Sequence, residues 1–405
     1  MQTKANSEIS LQNEILFDRV CFYVAYSVYL FSTVVMRTAF GEYSVLSSDV
    51  FGSACQGLVL CLLFLKMILQ RAEIREWLLS FLLVCVGFIC WRQSDEGWLF
   101  WIAIFVVCGK GINIKTLAWI SFIEISFLTC LIVFLSQVNI IDDIVFIRGG
   151  EIRHSLGFKH PNYVGMYLLS ISMSFSIIHF EKNPLPDLLI LIISFFVNIY
   201  FVNSRSSALL CLVQAALLLV MYNTRQKSSR KFLMKSLFIG TILIVFMSIY
   251  FMLFYNPANS VHRYLNSLLT GRLFLAHEYY EMAGLSLFGN NFVGYPAIYW
   301  DNGSPISFMV DNAIAHLLLR YGIIPSLIFL LGLMAAIYRL VRDESWGYLI
   351  FGLSLMVLYG FSETLGIKIE CNYLLVCLGP LVLFSSDNSF DENKLRLPHT
   401  CFKDV

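Results

Sequence analysis

Long apolar segments follow one another along almost the whole of this sequence, separated by short polar stretches. Inside a bilayer, backbone N–H and C=O groups have no water to bond, so a crossing segment must be a helix or a strand of a closed barrel. The composition agrees, because the 405-residue chain is 58% hydrophobic and only 14% charged, whereas soluble domains carry about 25% charge. We therefore predict an all-α polytopic membrane protein.

A helix needs about 20 mostly apolar residues to cross a bilayer. The hydropathy pattern predicts about 12 transmembrane helices, with a range of about 10 to 14 because several segments are short. The predicted spans are 19–37, 50–69, 77–91, 97–109, 116–136, 162–180, 187–202, 208–222, 236–255, 313–338, 346–361 and 371–384.

Lys and Arg accumulate in cytoplasmic loops, and this bias predicts the orientation. The most basic loop, 225–235, carries several Lys and Arg residues and no acid. Placing it inside puts both termini in the cytoplasm, including the tail 385–405. The chain is then one integral membrane domain, 1–405, in the cytoplasmic (plasma) membrane. Its large extracytoplasmic loop is 256–312, where short amphipathic helices are expected.

Four polar signals fall on the predicted outer face. The first is the run 157–162, which contains His160 and Asn162 ahead of the sixth span. An ordinary helix start at Pro161 is the alternative interpretation. The second is the turn 203–207 with Ser204 and Arg205. A helix N-terminus with an arginine suits an anion, although a lone arginine reaching toward lipid headgroups is the alternative.

The third signal is Arg272 after Gly271, at the start of an amphipathic segment that continues to residue 287 and carries His277. A scaffold helix with incidental charges is the alternative. The fourth is Asp311, followed by the start of the tenth span, and its alternative role is a helix N-cap.

Two further charged or polar side chains lie inside that tenth span. His316 and Arg320 are one turn apart near its start. Charged groups at that depth are costly, so they should face a wet cavity or a ligand.

These four signals, in this order, resemble the O-antigen ligase and Wzy-type polysaccharide polymerase superfamily over about residues 140–340. The carrying residues are Gly157 to Asn162, Ser204-Arg205-Ser206, Gly271-Arg272 with Gly289, and Asp311-Asn312 ahead of Gly322. The Phe-x-His-Pro-Asn run is most similar to capsular and exopolysaccharide repeat-unit polymerases. The resemblance implies a membrane glycosyltransferase of the C type.

The implied donor is a glycan on undecaprenyl pyrophosphate, and the implied acceptor is the next lipid-linked repeat unit. Arg205 and Arg272 match the arginines that such families use for pyrophosphate. Ser204, Asn162, Arg320 and His277 are expected to bind substrate. The expected general base is Asp311, with His160 and His316 as competitors. A carboxylate whose pKa is raised by partial burial suits that role.

No metal or other cofactor is expected, because paired arginines can stabilise a leaving pyrophosphate electrostatically. Adjacent Asp142 and Asp143 are the alternative, as ligands of a cation. The implied partners are the lipid-linked oligosaccharide, membrane lipids, and a chain-length regulator and flippase of the same pathway, with no nucleic acid. Two other functions stay open: an O-antigen ligase, for which Asp311 stands where ligases carry His, and a polysaccharide transporter or flippase.

Overall fold

A computed structural model describes residues 2–39, 48–148, 151–179, 183–224, 226–292, 298–299, 305–306, 310–344 and 347–384. The tail 385–405 therefore lies outside the described residues. Fourteen helices occur in the described part of the chain: α1 Gln2–Met36, α2 Ser48–Leu69, α3 Ile74–Ser94, α4 Trp98–Val107, α5 Ile114–Gln137, α6 Pro161–His179, α7 Leu185–Val197, α8 Arg205–Asn223, α9 Lys227–Phe254, α10 Ser260–Leu268, α11 Arg272–Ala283, α12 Ala313–His316, α13 Ile323–Arg342 and α14 Tyr348–Gly360.

Shorter helical turns and two small hairpins complete the fold. The turns are Asn198–Val202, Leu317–Tyr321, Thr364–Ile367, Tyr373–Cys377 and Gly379–Leu383. Strands β1 (Val145–Arg148) and β2 (Glu151–His154) pair antiparallel, as do β3 (Ile298–Tyr299) and β4 (Pro305–Ile306). The chain is thus mostly helical, with two hairpins that the hydropathy pattern did not predict.

Eight helices in the described residues are long and apolar enough to cross a membrane. They are Phe17–Met36, Val50–Leu69, Ile74–Ser94, Ile114–Gln137, Leu185–Val202, Arg205–Asn223, Lys227–Phe254 and Ile323–Arg342. This finding supports the predicted helical membrane protein, while the number of twelve spans stays a prediction.

Three predicted spans correspond to shorter apolar helices. These are Trp98–Val107, Tyr348–Gly360 and Tyr373–Leu383. Every residue of α4 except Trp98, and nearly every residue of α14, is buried against protein. A helix that is apolar on all sides can lie in the core of a protein or can span a membrane. Hydropathy alone does not distinguish these two positions.

Polar caps set where several helices begin. The Asn113 side chain accepts the backbone N–H groups of Lys115 and Thr116 at the start of α5. At the start of α3, Glu73 and Glu76 form a reciprocal capping box. Such caps satisfy N–H groups that the first helical turn leaves without partners, which matters most where no water is available.

The stretch predicted as one span, 313–338, is interrupted. Helix α12 continues into the turn Leu317–Tyr321, and the chain breaks at Gly322 before α13 begins. Gly322 has φ +87°, a conformation that side chains with a Cβ rarely adopt. His316 and Arg320 therefore lie in a short segment ahead of α13 and not inside one continuous helix.

Gly322 packs directly on Gly289, another glycine of the sequence motifs. A Cβ at Gly322 would lie 2.5 Å from the Gly289 nitrogen, and one at Gly289, where φ is +117°, would lie 2.6 Å from the Arg320 oxygen. Backbone bonds from Asn290 N to Arg320 O (3.1 Å) and from Ile323 N to Ser286 O (2.9 Å) join the same two segments. This junction holds residues 286–290 of the large loop against the broken span.

We expect Gly322→Ala and Gly289→Ala each to lower the midpoint of thermal unfolding in detergent. Forcing a side chain into that backbone conformation costs about 1–3 kcal/mol, and the close backbone contact adds to it. Gly332→Ala is the control, since a Cβ there meets nothing within 4 Å. An unchanged midpoint in both junction variants would contradict the structural role of this contact.

Candidate functional site

Arg272 is placed by a tight turn between two helices. Helix α10 ends near Leu268, and Thr270 and Gly271 then take φ values of 56° and 87°. The Asn266 side chain accepts the backbone N–H of Phe274 at 3.0 Å. This turn joins the two helices, and Arg272 is the first residue of α11.

The guanidinium of Arg272 is buried, with 8% of the residue exposed, and contacts three separate segments. Its Nε donates to Asp311 Oδ2 at 2.9 Å and its Nη2 to Glu363 Oε1 at 2.5 Å. Its Nη1 donates to Ser206 Oγ at 3.3 Å. Burial opposes the charge, but the two carboxylates outweigh it and raise the pKa of Arg272. The arginine stays charged and fixed in orientation.

Asp311 is the more accessible of the two carboxylates, with 24% of its side chain exposed against 6% for Glu363. Its neighbour Asn312 caps α12, accepting the N–H of Ala315 at 2.9 Å and donating to Ser248 and Phe361. Asn312 performs the N-cap role that was the alternative for Asp311. The Asp311 carboxylate is therefore available to pair with Arg272.

Glu363 is the residue of this group that the sequence motifs did not single out. It is 5% exposed and accepts a hydrogen bond from Asn162 Nδ2 at 2.9 Å. Burial raises the pKa of Glu363 to about 7, against the opposing effect of Arg272. The signal in the sequence was three charged residues, Glu363, Lys368 and Glu370, in one short loop between apolar segments.

Asn162 and His160 have different roles at the start of α6. Asn162 Oδ1 accepts from Arg153 Nη2 at 2.7 Å, which extends the group around Arg272 to the β1–β2 hairpin. His160 Nδ1 accepts the backbone N–H of Asn162 at 3.1 Å, and its ring packs against Phe146. His160 thus helps to form the start of α6, and its role as a competing base stays a prediction.

Ser204 and Arg205 lie close in sequence to Ser206 but bond elsewhere. Ser204 is buried and its Oγ donates to Ser207 Oγ at 3.1 Å. Arg205 is mostly exposed and pairs with Glu151 at 2.7 Å. Of the turn 203–207, it is the Ser206 hydroxyl that bonds to Arg272, whereas the Arg205 guanidinium remains at the surface beside it.

His316 and Arg320 form a second polar group. His316 Nε2 lies 2.9 Å from Glu96 Oε2, and Arg320 Nε lies 3.4 Å from the same oxygen. The His316 ring stacks on Trp98 with centroids 5.1 Å apart. Burial works against the Glu96 charge, but His316 and Arg320 lower its pKa. These two predicted site residues share Glu96, not the carboxylates of Arg272.

His277 faces helix α9. Its Nδ1 lies 2.9 Å from the Met252 carbonyl oxygen, and its ring packs on Tyr255 and Tyr280. This contact holds α11 against α9. His277 therefore helps to position the helix whose first residue is Arg272.

Asp142 and Asp143 are the residues that the sequence offers as alternative cation ligands, and Asp143 bonds to other parts of the chain. Asp143 accepts the backbone N–H of Leu156 at 2.7 Å and lies 2.5 Å from His154 Nδ1. Among the described residues, no group of three or more His, Cys, Asp or Glu side chains is arranged to hold a metal ion. The chemistry available at Arg272 is instead that of a fixed cation beside a partly exposed carboxylate, which can bind an anion and accept a proton.

Comparisons of the chain with protein-family models, with curated proteins and with solved structures found no match.

The raised pKa of Glu363 predicts a pH dependence of stability. The folded chain keeps a proton that the unfolded chain releases between about pH 4.5 and 7. The contribution of Glu363 therefore favours folding below this window and is lost as the pH rises through it. We expect the thermal midpoint of the wild type, measured against that of Glu363→Gln, to fall between pH 5 and pH 8.

The matched control is Glu281→Gln, which changes an exposed acid on α11. Its difference from the wild type should not vary in the same way with pH. A constant difference between wild type and Glu363→Gln across this range would contradict the raised pKa.

Proposed function

We propose that this chain is a membrane glycosyltransferase that polymerises lipid-linked oligosaccharide repeat units on the outer face of the cytoplasmic membrane. The observation that carries the proposal is the buried Arg272 between the carboxylates of Asp311 and Glu363. Arg272 and Asp311 come from motifs that resemble those of Wzy-type polymerases, and Glu363 joins them through its contact with Arg272. Capsule, exopolysaccharide and O-antigen are the product classes that such an enzyme makes.

In the proposed reaction, the donor glycan is bound to the lipid through a sugar–pyrophosphate bond. An acceptor hydroxyl attacks the anomeric carbon, the new C–O bond forms, and the bond to pyrophosphate breaks with its electron pair. The leaving group gains negative charge, and a fixed guanidinium nearby stabilises it. The acceptor proton passes to a carboxylate that acts as general base.

The pairing of Arg272 suggests how binding prepares this base. Both of its carboxylate partners compete with a pyrophosphate for the guanidinium. Asp311 is more exposed than Glu363, with 24% against 6% of the side chain accessible. In the proposal, the pyrophosphate takes the place of Asp311 on Arg272, which releases the Asp311 carboxylate beside the acceptor. Glu363, held by Asn162, keeps the guanidinium oriented.

Arg205 is the second cation of the proposed donor site. Its guanidinium lies at the surface and pairs with Glu151, an exposed pair of the kind that contributes little to stability. An incoming pyrophosphate can exchange with Glu151 at small cost. The Ser206 hydroxyl, which bonds to Arg272, links the two cations through the chain.

We expect Arg272→Ala and Asp311→Ala to abolish long glycan chains in cells that depend on this protein, leaving lipid-linked single repeat units. Removing one electrostatic stabiliser of a transition state costs about 10²–10³ in rate. Chain-length distribution on a gel is the measurement. Arg342→Ala, at an exposed site at the end of α13, is the control. Unchanged long chains in both site variants would rule out the polymerase.

The same cells distinguish the alternatives. If the protein is a ligase, the inactive variants should leave long chains on their lipid carrier, without transfer to a final acceptor. If the protein is a transporter, cells with the inactive variants should accumulate single repeat units on the cytoplasmic side. The polymerase proposal requires single units that are already exposed on the outer side.

We expect Arg272→Lys to lose most activity as well, although the charge is kept. Arg272 uses Nε, Nη1 and Nη2 toward three partners, and a single ammonium cannot reproduce that fork. Arg205→Lys tests the second cation in the same way. Polymer of normal length and amount in both Lys variants would argue against bidentate binding of pyrophosphate.

A further inference from the structure

Lys368 is a buried cation that the proposed reaction at Arg272 does not use. It is 6% exposed, and its Nζ lies 3.5 Å from the centre of the Trp98 ring. Within the described part of the chain, its ammonium makes no hydrogen bond or ion pair. Burial, followed by the neighbouring Arg37 charge, lowers the pKa of Lys368 to about 7. A buried ammonium without a carboxylate partner is costly, and an anion beside it would offset that cost.

The surroundings of Lys368 hold more positive than negative charge. Arg37 pairs with Glu370, and Arg320 shares Glu96 with His316. Lys368 is left as the additional cation of this group. Glu96 and Arg320 keep 19% and 13% of their side chains accessible, so the group is open to the surface on that side.

An apolar crevice shares helix α4 with this group. It runs between α3, α4, α13 and the segment Gly379–Leu383, and all of its lining residues are apolar. Leu99, which lines it, directly follows Trp98, and Pro325 and Gly332 line it along α13. Its volume is about 110 Å³, several times the roughly 10–15 Å³ that one water molecule needs. An empty apolar space of this size suits a hydrocarbon chain.

The cation and the apolar crevice together suit an amphiphilic ligand. Its anionic head group would bind at Lys368 and Trp98, and its hydrocarbon chain would lie in the crevice. We propose that Lys368, Trp98 and the crevice form the binding site of a second polyprenyl pyrophosphate, the lipid-linked acceptor. This inference rests on the proposed function, in which both substrates carry a lipid pyrophosphate. It assigns Lys368, Trp98 and Gly332 to a site separate from Arg272.

Two short segments connect this acceptor site to Arg272. Asp311 bonds to Arg272, and His316, five residues later, belongs to the Lys368 group. Glu363 bonds to Arg272, and Lys368 also follows it by five residues. Five residues span at most about 18 Å, so His316 lies within that distance of Asp311, and Lys368 lies within it of Glu363. An acceptor sugar extending from Lys368 would reach the carboxylates there.

The test counts bound lipids. Purified protein in detergent is titrated with undecaprenyl pyrophosphate, and the number of copies per chain is read by native mass spectrometry. We expect two copies on the wild type. Lys368→Met should keep one copy and weaken the second by roughly ten- to hundredfold, as expected for loss of a charged hydrogen bond. Arg272→Met should also keep one, and the double variant none.

Gly332→Phe tests the crevice without touching the charges. A Cβ at Gly332 meets nothing within 4 Å, so the new ring can enter the crevice without backbone strain, and one copy should be lost. Gly240→Phe is the matched control, because Gly240 on α9 is equally open but lies outside the crevice. It should bind two copies.

Two copies on both Lys368→Met and Gly332→Phe, or a single copy on the wild type, would overturn the acceptor site. Displacement of the second copy by an equal concentration of phosphatidylglycerol would make it a site for bulk lipid and also overturn the assignment. The retained first copy shows that each variant is folded. Failure here leaves the polymerase proposal standing, since that depends on the chain length made by the Arg272 and Asp311 variants.

Discussion

The charge of Arg272 is the constraint on which the candidate site depends. A guanidinium cannot lose its proton in a protein, so when buried it needs carboxylate partners. Asp311 and Glu363 meet this need from two different parts of the chain. Their attachment to Arg272 brings the start of α11, the entry to α12 and the loop after α14 to one point.

The neighbouring polar residues hold Arg272 and its carboxylate partners in place. Asn162 links Glu363 to the β1–β2 hairpin through Arg153, and Ser206 adds the start of α8. The second group, around Glu96 and Lys368, repeats the pattern with an additional cation. The proposed function depends on the first group alone, and the further inference adds the second group as the site of a second anionic lipid.

Part of the candidate site was readable from the sequence. Arg272, Asp311 and Asn162 stand in motifs whose order and predicted side suggested that they work together, and the structure brings them together. Glu363 was missed because it has no motif, and its importance comes from a contact 91 residues away in the chain. His160, His277 and His316 have the residue type that acid–base chemistry favours, yet their contacts with Phe146, Met252 and Glu96 are ones that only packing reveals.

The sequence by itself determined that this chain forms apolar helices, because lipid leaves the backbone few other ways to satisfy its hydrogen bonds. The tertiary structure decided which short helices are buried, where the span before α13 breaks, and which carboxylates Arg272 receives. Those partners lie 39 and 91 residues away, and no local pattern of residue types encodes pairings at such separations.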